Sequence, residues 1–239
     1  MEKAIPEGKS PFATEPIGRL ILKFAVPSVI ALLVNSLYNI VDQIFIGWGV
    51  GYLGNGATNA VFPITIVALA LCLMIGDGGA AYLSLKLGEG DIANAKRGVG
   101  NAIVMVVTVS IVLAAVFLIF IDPILTLFGA TDALRDYALQ YGTIIGIGLP
   151  FMMIPGAVNS MIRADGSPKY AMLSMALGAV INTILDPLFI FGFGWGIKGA
   201  AWATVIGQIV SGIMVIVYFG RFRKMELKKE MFRPSGKIL

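Results

Sequence analysis

The sequence contains no histidine and a single cysteine, Cys72. These absences exclude a histidine-based catalytic triad, a histidine-ligated metal site and an intramolecular disulfide. Charge is also scarce, because Asp, Glu, Lys and Arg make up 13% of the 239 residues, about half the usual ~25%. A water-soluble domain of this length must cover its surface with polar groups, so an ordinary soluble enzyme and a disordered chain are both excluded.

Long hydrophobic runs take the place of the missing charge. Hydrophobic residues make up 57% of the chain, its mean hydropathy is +0.86, and the only charges between residues 24 and 85 are Asp42 and Asp77. A helix needs about 20 apolar residues to cross a bilayer, and continuous runs favour helices over the alternating strands of a β-barrel. Glycines between residues 47 and 56 are expected to break the first run into two spans. The sequence therefore predicts an all-α membrane protein, a six-helix bundle with spans near 20–47, 57–85, 98–121, 137–162, 169–193 and 199–220.

The basic residues are distributed unequally between the two sides of these six spans. Sixteen of the eighteen Lys and Arg residues fall on the side that holds both termini, and the other side holds only Arg135 and Lys198. The positive-inside rule then predicts that both termini are cytoplasmic. All three tryptophans, Trp48, Trp195 and Trp202, lie at predicted outer ends of spans, as in an interfacial aromatic belt.

This topology divides the chain into three parts, namely a cytoplasmic tail (1–19), a transmembrane lobe (20–220) and a cytoplasmic linker (221–239). We expect a multi-pass protein of the plasma (inner) membrane. Its net charge of +4 is then explained by its orientation in the bilayer and not by binding to nucleic acid.

Three aspartates lie inside the predicted spans, where an ionisable side chain costs free energy and marks a functional site by default. Asp42 lies about 28 Å from Lys23, and Asp186 lies about 25 Å from Lys169, at ~1.5 Å per residue. The two carboxylates are therefore expected at a common depth in the outer half of the bilayer. Asp77 lies only about 13 Å from the cytoplasmic end of its span, so we expect it to line a cytoplasm-facing cavity or to cap a helix distortion.

Polar side chains accompany the two deeper aspartates. Because Pro187 has no N–H, the carbonyl of Thr183 loses its helical partner, so a carboxylate, an amide and a free carbonyl would together form a cation or proton site. The alternatives are a polar seam that holds helices together around Asp42 and a simple helix end at Asp186. The polar residues expected near this level are Asn35, Tyr38 and Asn39 on the face of Asp42, Asn182 one turn before Asp186, and Tyr141, Thr204 and Gln208 on other spans.

Four stretches of the chain, together with Pro27, resemble the N-terminal half of the multidrug and toxic compound extrusion (MATE) transporters. They are Asn39–Gly47 (NIVDQIFIG), Ile162–Lys169 (IRADGSPK), Asn182–Ile190 (NTILDPLFI) and Gly199–Thr204 (GAAWAT). The resemblance covers essentially the whole chain. It implies one lobe of a 6+6 fold, in which two six-helix lobes are parallel repeats. It also implies efflux of cationic, often amphipathic compounds in exchange for H⁺ or Na⁺, by a transporter that is not an enzyme and needs no cofactor beyond the coupling ion.

The resemblance also implies roles for particular residues. Pro27 matches a proline at which the first helix bends, and Asn159 is a looser match on the fourth span. A bound Na⁺ would be held by Asp42, Asn182, Asp186 and Thr204. The full coupling-ion site would comprise Tyr38, Asp42, Tyr141, Asn182, Asp186 and Thr204. We assign a substrate cavity to Asn35, Asn39, Asp77, Asn159 and Gln208.

The chain is about half as long as the members of this family. Pro16–Ile21 and Pro234–Leu239 share the pattern of proline, any residue, glycine, a basic residue and two aliphatic residues. This repetition predicts that the chain stops as a second repeat begins, so we expect it to be a fragment that lacks its C-terminal lobe. The alternative is a natural half-transporter, in which two copies pair about an axis along the membrane normal.

In the predicted mechanism, a proton or Na⁺ at Asp42 and Asp186 reshapes the first span, closes the lobe cavity and favours outward release of the substrate. One alternative is a lipid-linked-sugar flippase of the same wider superfamily, which the absence of Lys and Arg from the interior of the predicted spans disfavours. Another is a non-transporting membrane scaffold, in which the polar stripes only hold helices together. An intramembrane enzyme is disfavoured because no histidine exists and no serine has a visible base partner.

Overall fold

The computed structural model describes residues 16–219 and Met231. Within that part of the chain the fold is all-helical and contains no β-strand. The predicted N-terminal tail, apart from residues 16–19, and the predicted linker, apart from Met231, lie outside the described residues.

Seven α-helices follow one another along the described chain. The first is α1 (Ile17–Gly49) and the last is α7 (Ile197–Phe219). A π-helical turn, Leu188–Gly192, continues directly from the end of the sixth helix. The intervening helices are α2 (Tyr52–Gly88), α3 (Ile92–Ile119), α4 (Ile121–Leu127), α5 (Asp132–Ala164) and α6 (Pro168–Pro187).

All of these helices except the short α4 are long and apolar enough to cross a membrane, at 22 to 37 residues with the π-helical turn included in the sixth span. The prediction of six spans is therefore confirmed. Most of the helices extend a few residues beyond the predicted bounds, because their polar ends remain helical past the apolar segment. Several large apolar side chains of α1 are exposed, including Ile21, Leu22, Leu32, Leu33 and Leu37, as a helix surface in contact with lipid requires.

The run breaks into two helices between Gly49 and Tyr52, as the sequence predicted, but not every glycine of this stretch takes part in the break. Of the five glycines between residues 47 and 56, only Gly51 has a positive φ, of 86°, and it lies at the turn between the helices. Gly54 and Gly56 lie inside α2, where their lack of a Cβ lets neighbouring side chains approach the helix backbone. A Cβ on Gly54 would lie 2.8 Å from Ile46. These glycines permit packing, and Gly51 alone makes the turn.

The placement of the basic residues also differs from the prediction. Several that the sequence assigned to tails and loops lie inside the ends of helices. Arg163 lies in the last turn of α5, where its Nη2 donates a hydrogen bond of 2.7 Å to the Ser160 hydroxyl. The same Nη2 lies 3.9 Å from a carboxylate oxygen of Asp77. In the described helices, the basic residues occupy the first or last two turns, namely Arg19, Lys23, Lys86, Lys96, Arg97, Arg135, Arg163, Lys169 and Lys198. In the described helices, Lys and Arg are therefore absent only from the middle portions of the spans.

The fifth helix occupies the centre of the bundle and contacts α2, α3, α4, α6 and α7. Its approach to α2 depends on Gly76, because a Cβ there would lie 2.6 Å from the backbone of Ala157. Helix α1 lies at the edge and packs mainly against α6. This contact between α1 and α6 brings together the two helices that carry the deeper aspartates.

Candidate functional site

Asp42 and Asp186 lie side by side in the interior of the bundle. Asp42 is 5% exposed and Asp186 is fully buried. Their carboxyl groups lie close enough to interact with each other electrostatically. The contact of α1 with α6 produces this arrangement, because each aspartate faces the partner helix at the same level.

The side chains of Asn182 and Thr204 complete a polar cluster around Asp186. Asn182 lies one turn earlier on α6, and its Nδ2 donates to Asp186 Oδ1 at 3.3 Å and to the Thr204 hydroxyl at 3.2 Å. Thr204 reaches Asn182 because α7 approaches α6 at a pair of glycines. A Cβ on Gly207 would lie 2.6 Å from the carbonyl oxygen of Gly178.

Tyr38 and Tyr141 lie close enough to both carboxyl groups to interact with them electrostatically. Tyr38 is one turn before Asp42 on α1, and Tyr141 is buried on α5. The six residues to which the sequence assigned an ion-coupling role therefore converge from α1, α5, α6 and α7 on one place in the bundle.

Three oxygen atoms in this cluster lack a donor. Among the residues that the structure describes, Asp42 Oδ1, Asn182 Oδ1 and Asp186 Oδ2 are buried without a hydrogen-bond partner. Two adjacent carboxylates removed from water repel each other and lose their hydration. A proton shared between them, or a small cation that accepts their oxygens as ligands, would relieve both costs.

The aspartate–proline pair on α6 does not simply end the helix. Regular α-helix stops at Pro187, but the chain continues directly into the π-helical turn Leu188–Gly192. Such wide turns occur frequently at functional sites. Asp122 and Pro123 form a similar pair just after the third predicted span, but α3 already ends at Ile119 and Asp122 lies in α4, where it pairs with Arg135.

The residues assigned to a substrate cavity do not form one group. Asn39 Nδ2 donates to the carbonyl and side-chain oxygens of Asn35 at 2.8 and 3.0 Å, at the exposed side of α1. Asp77 is exposed on α2 beside Arg163, at the opposite end of the helix from the turn at Gly51. Gln208 lies between α5 and α7, where its Oε1 would be 3.6 Å from a Cβ on Gly148.

Asn159 lies between α5 and α6 and is 1% exposed. Its Oδ1 accepts a hydrogen bond of 2.9 Å from the Ser174 hydroxyl. This contact joins the two helices directly, so the placement of Asn159 favours a packing role over a place on a cavity wall.

Replacing Ser174 with alanine is expected to lower the free energy of unfolding by about 1–3 kcal/mol, because a buried amide oxygen of Asn159 would lose its donor. Thermal unfolding of the detergent-solubilised protein measures the effect. Ser84→Ala is the matched control, since among the described residues the Ser84 hydroxyl bonds only to the Ala80 carbonyl of its own helix, at an exposed position. Equal melting temperatures for the two variants would contradict the packing role of Asn159.

Two residues of the site were missed by the sequence analysis. Gln43 Nε2 donates to Asp42 Oδ2 at 3.3 Å, and the Thr58 hydroxyl lies 3.1 Å from Gln43 Oε1. Gln43 follows Asp42 directly, so it lies off the helical face by which polar neighbours were sought. Thr58 is on α2, and only the geometry of the turn between α1 and α2 brings it to Gln43.

Six apolar helices around a buried polar cluster define a multi-pass membrane protein. The sequence matches the MatE family profile over residues 27–188. The matched segment runs from Pro27 in α1 to the end of α6. It therefore includes both aspartates of the cluster, Asp42 on α1 and Asp186 on α6.

Curated relatives and solved structures agree with this match. The chain is 29% identical over 214 residues to the multidrug export protein MepA of Staphylococcus haemolyticus (strain JCSC1435), covering 88% of this chain and 46% of that protein. It is 30% identical over 213 residues to an FAD transporter of Shewanella oneidensis, covering 84% and 46%. A multidrug resistance MATE family transporter of the MOP superfamily in an outward-facing conformation superposes with a TM-score of 0.85 at 25% identity, covering 91% and 49%.

The chain belongs to the MatE family of membrane transporters. It spans about half the length of the curated relatives that it matches.

Proposed function

We propose that this chain is the ion-coupling lobe of a multidrug efflux antiporter, which exports cationic or amphipathic compounds in exchange for H⁺ or Na⁺. The observation that carries the proposal is the buried pair of carboxyl groups of Asp42 and Asp186, with the Asn182 amide and the Thr204 hydroxyl beside it. A carboxylate pair inside an apolar bundle is costly unless an ion neutralises it, and ionisable groups at such places mark ion pathways.

The carboxylate, amide and hydroxyl groups of this cluster fit either coupling ion. Protonation of one carboxyl would let the two aspartates share a hydrogen bond. A Na⁺ ion would accept carboxylate, amide and hydroxyl oxygens from Asp42, Asn182, Asp186 and Thr204, as in transporter sites built at interrupted helices. In both cases the site takes up one positive charge, and this charge is what a gradient across the membrane can drive.

Ion occupancy acts on α1, because Asp42 is the residue through which α1 meets α6 at the site. Pro27 lies in the same helix, beside a cavity of about 160 Å³ that is also lined by Ser28, Ala31, Arg163 and Met172. The missing N–H of Pro27 weakens the helix there, and the cavity leaves room for α1 to bend. The ion and the substrate need not touch, provided that each prefers a different conformation of the lobe.

The remaining assignments follow from the same proposal. The lobe lies in the plasma (inner) membrane with both termini in the cytoplasm, which agrees with the excess of basic residues on that side. It works with a C-terminal lobe or with a second copy of itself, because the curated relatives are about twice as long. Asn35, Asn39, Asp77 and Gln208 are proposed to face the substrate path.

The test is substrate-stimulated ion flux in proteoliposomes that contain the purified chain, with an imposed pH or Na⁺ gradient. A cationic dye is the first substrate. FAD is the second, because one relative is an FAD transporter. The expected result is ion uptake that rises when substrate is present on the opposite side. Absence of stimulation with both ions, in vesicles where the folded lobe is paired with a second copy or with a C-terminal lobe, would favour the non-transporting scaffold.

A further inference from the structure

A cavity of about 160 Å³ between α1, α5 and α6 combines apolar walls with one cationic side chain. Pro27, Ala31 and Leu32 of α1 form one wall, and Met172 of α6 lies on another. Arg163 of α5 is the one charged residue among the described residues that line the cavity. Because Leu32 is 65% exposed, the cavity reaches the apolar surface of α1, which lipid covers in a membrane.

The guanidinium of Arg163 uses few of its hydrogen-bond donors within the protein. Its Nη2 donates to the Ser160 hydroxyl at 2.7 Å. Elsewhere in the described part of the chain the guanidinium has no acceptor, so Nε and Nη1 make no hydrogen bond there. A guanidinium carries five N–H donors, and unused donors on a partly buried cation are costly in apolar surroundings. The arrangement is therefore incomplete without a further acceptor.

The carboxylate of Asp77 does not supply this acceptor. Its Oδ1 lies 3.9 Å from Arg163 Nη2, which is too far for a hydrogen bond. The Asp77 side chain is 62% exposed, and exposed ion pairs contribute little to stability. A phosphate group offers several anionic oxygens, which a planar guanidinium binds through two parallel N–H groups. A phosphate in the cavity would therefore hold Arg163 better than Asp77 does.

The cavity lies at the level of the lipid headgroups. Arg163 is in the last turn of α5, and Lys169 is exposed in the first turn of α6, at the same end of the bundle. This end is predicted to face the cytoplasm, where the leaflet contains anionic lipids and basic pockets between helices bind their headgroups. The apolar walls favour a lipid over a free anion, because a free phosphate gains nothing from contact with Ala31 or Leu32.

We infer that the cavity between α1, α5 and α6 binds the headgroup of an anionic phospholipid. Arg163 donates hydrogen bonds to the phosphate oxygens, and the glycerol and the first acyl carbons pack against Leu32 and Met172. Asp77 lies beside Arg163 and weakens this binding, because its negative charge repels the phosphate. The inference goes beyond the proposed function and assumes no step of transport.

The experiment measures lipid binding to the purified, detergent-solubilised chain by native mass spectrometry. The two lipids are phosphatidylglycerol, which is anionic, and phosphatidylcholine with the same acyl chains, which has no net charge. Titration of each lipid gives its dissociation constant, and an excess of inorganic phosphate is then added as a competitor. The expected result is tighter binding of phosphatidylglycerol, which inorganic phosphate does not displace.

The variants give the sign of the effect. Arg163→Gln is expected to weaken phosphatidylglycerol binding about fivefold or more, and Arg163→Lys less, because it keeps the charge and loses the planar fork. Asp77→Asn is expected to tighten binding. Ala31→Leu fills the cavity without a change of charge and is expected to weaken binding, which keeps the test valid if Arg163→Gln does not fold. Arg97→Gln is the matched control, since Arg97 is exposed on α3 at the same end of the bundle.

Three results would overturn the inference. Equal affinities for the two lipids would show that the cavity does not select an anionic headgroup. An equal loss of affinity in Arg97→Gln and Arg163→Gln would show a general attraction of the basic end of the bundle. Displacement by inorganic phosphate would show a site for a free anion. Because lipid binding is measured without substrate or gradient, its outcome is independent of the flux test.

Discussion

Asp186→Asn is expected to abolish gradient-driven efflux while the helix bundle stays folded. Asparagine has nearly the same shape as aspartate, and its side-chain oxygen can still accept the 3.3 Å bond from Asn182 Nδ2. It cannot release a proton, and it removes one of the two negative charges that would attract a cation. In one-for-one exchange with H⁺, each pH unit across the membrane sustains about a tenfold substrate gradient, because ~1.4 kcal/mol corresponds to a factor of ten. The variant is expected to bring that gradient to unity.

The measurement is the steady-state accumulation of a cationic dye in vesicles at a fixed pH or Na⁺ difference. Asp122→Asn is the matched control, because it makes the same chemical change in the short helix α4, where Asp122 pairs with Arg135 away from the cluster. We expect the control to accumulate dye like the unaltered chain. An Asp186→Asn protein that still built a dye gradient would show that the carboxylate pair is not the coupling site.

The two aspartates could be found from the sequence because their environment is simple. In an apolar helix the rise per residue is constant, so the distance from the basic residues at the span ends gives the depth of each carboxylate. Asn182 followed from the spacing of one helical turn, which also places its amide beside Asp186. Depth and face are properties of a single helix, and a single sequence determines them.

Contacts between helices could not be obtained in the same way. The bond from Thr58 to Gln43 depends on the angle at which α1 and α2 leave the turn, and the sequence contains no measure of that angle. Gly54 was interpreted as a helix breaker, although it lies inside α2 and makes room for Ile46. Asn159 matched a family position, but its partner Ser174 lies on the next span.

The depth of the aspartates could be predicted and the contacts between helices could not, for one physical reason. Periodicity reports which residues of one helix share a face, whereas side-chain volumes and crossing angles decide which faces meet. In lipid, helices associate through close packing at small residues, so the decisive positions are glycines, which hydropathy and charge do not distinguish. The position of Thr204 beside Asn182 is therefore a consequence of glycines that the sequence analysis did not select.

Gly207→Ala tests that consequence and is expected to disrupt both the packing of α7 and the ion site. A Cβ on Gly207 would lie 2.6 Å from the carbonyl oxygen of Gly178 and 3.2 Å from Asn182 Cβ. Because the nearest atom belongs to backbone, α6 and α7 must separate. Overpacking of this kind costs about 1–3 kcal/mol. The same movement breaks the 3.2 Å bond from Asn182 to Thr204, so we expect a lower melting temperature together with weaker coupling of dye export to the ion gradient.

Gly212→Ala, on the same helix, separates this effect from helix propensity. A Cβ there meets only Pro155 Cγ, at 3.4 Å, which is an ordinary contact, and alanine is favoured over glycine in a helix by up to about 1 kcal/mol. The control is therefore expected to melt at the same or a higher temperature and to retain coupling. If Gly207→Ala behaved like this control, the close approach of α6 and α7 would not be what holds Thr204 against Asn182. The polar cluster would then have to depend on the contact between α1 and α6 alone.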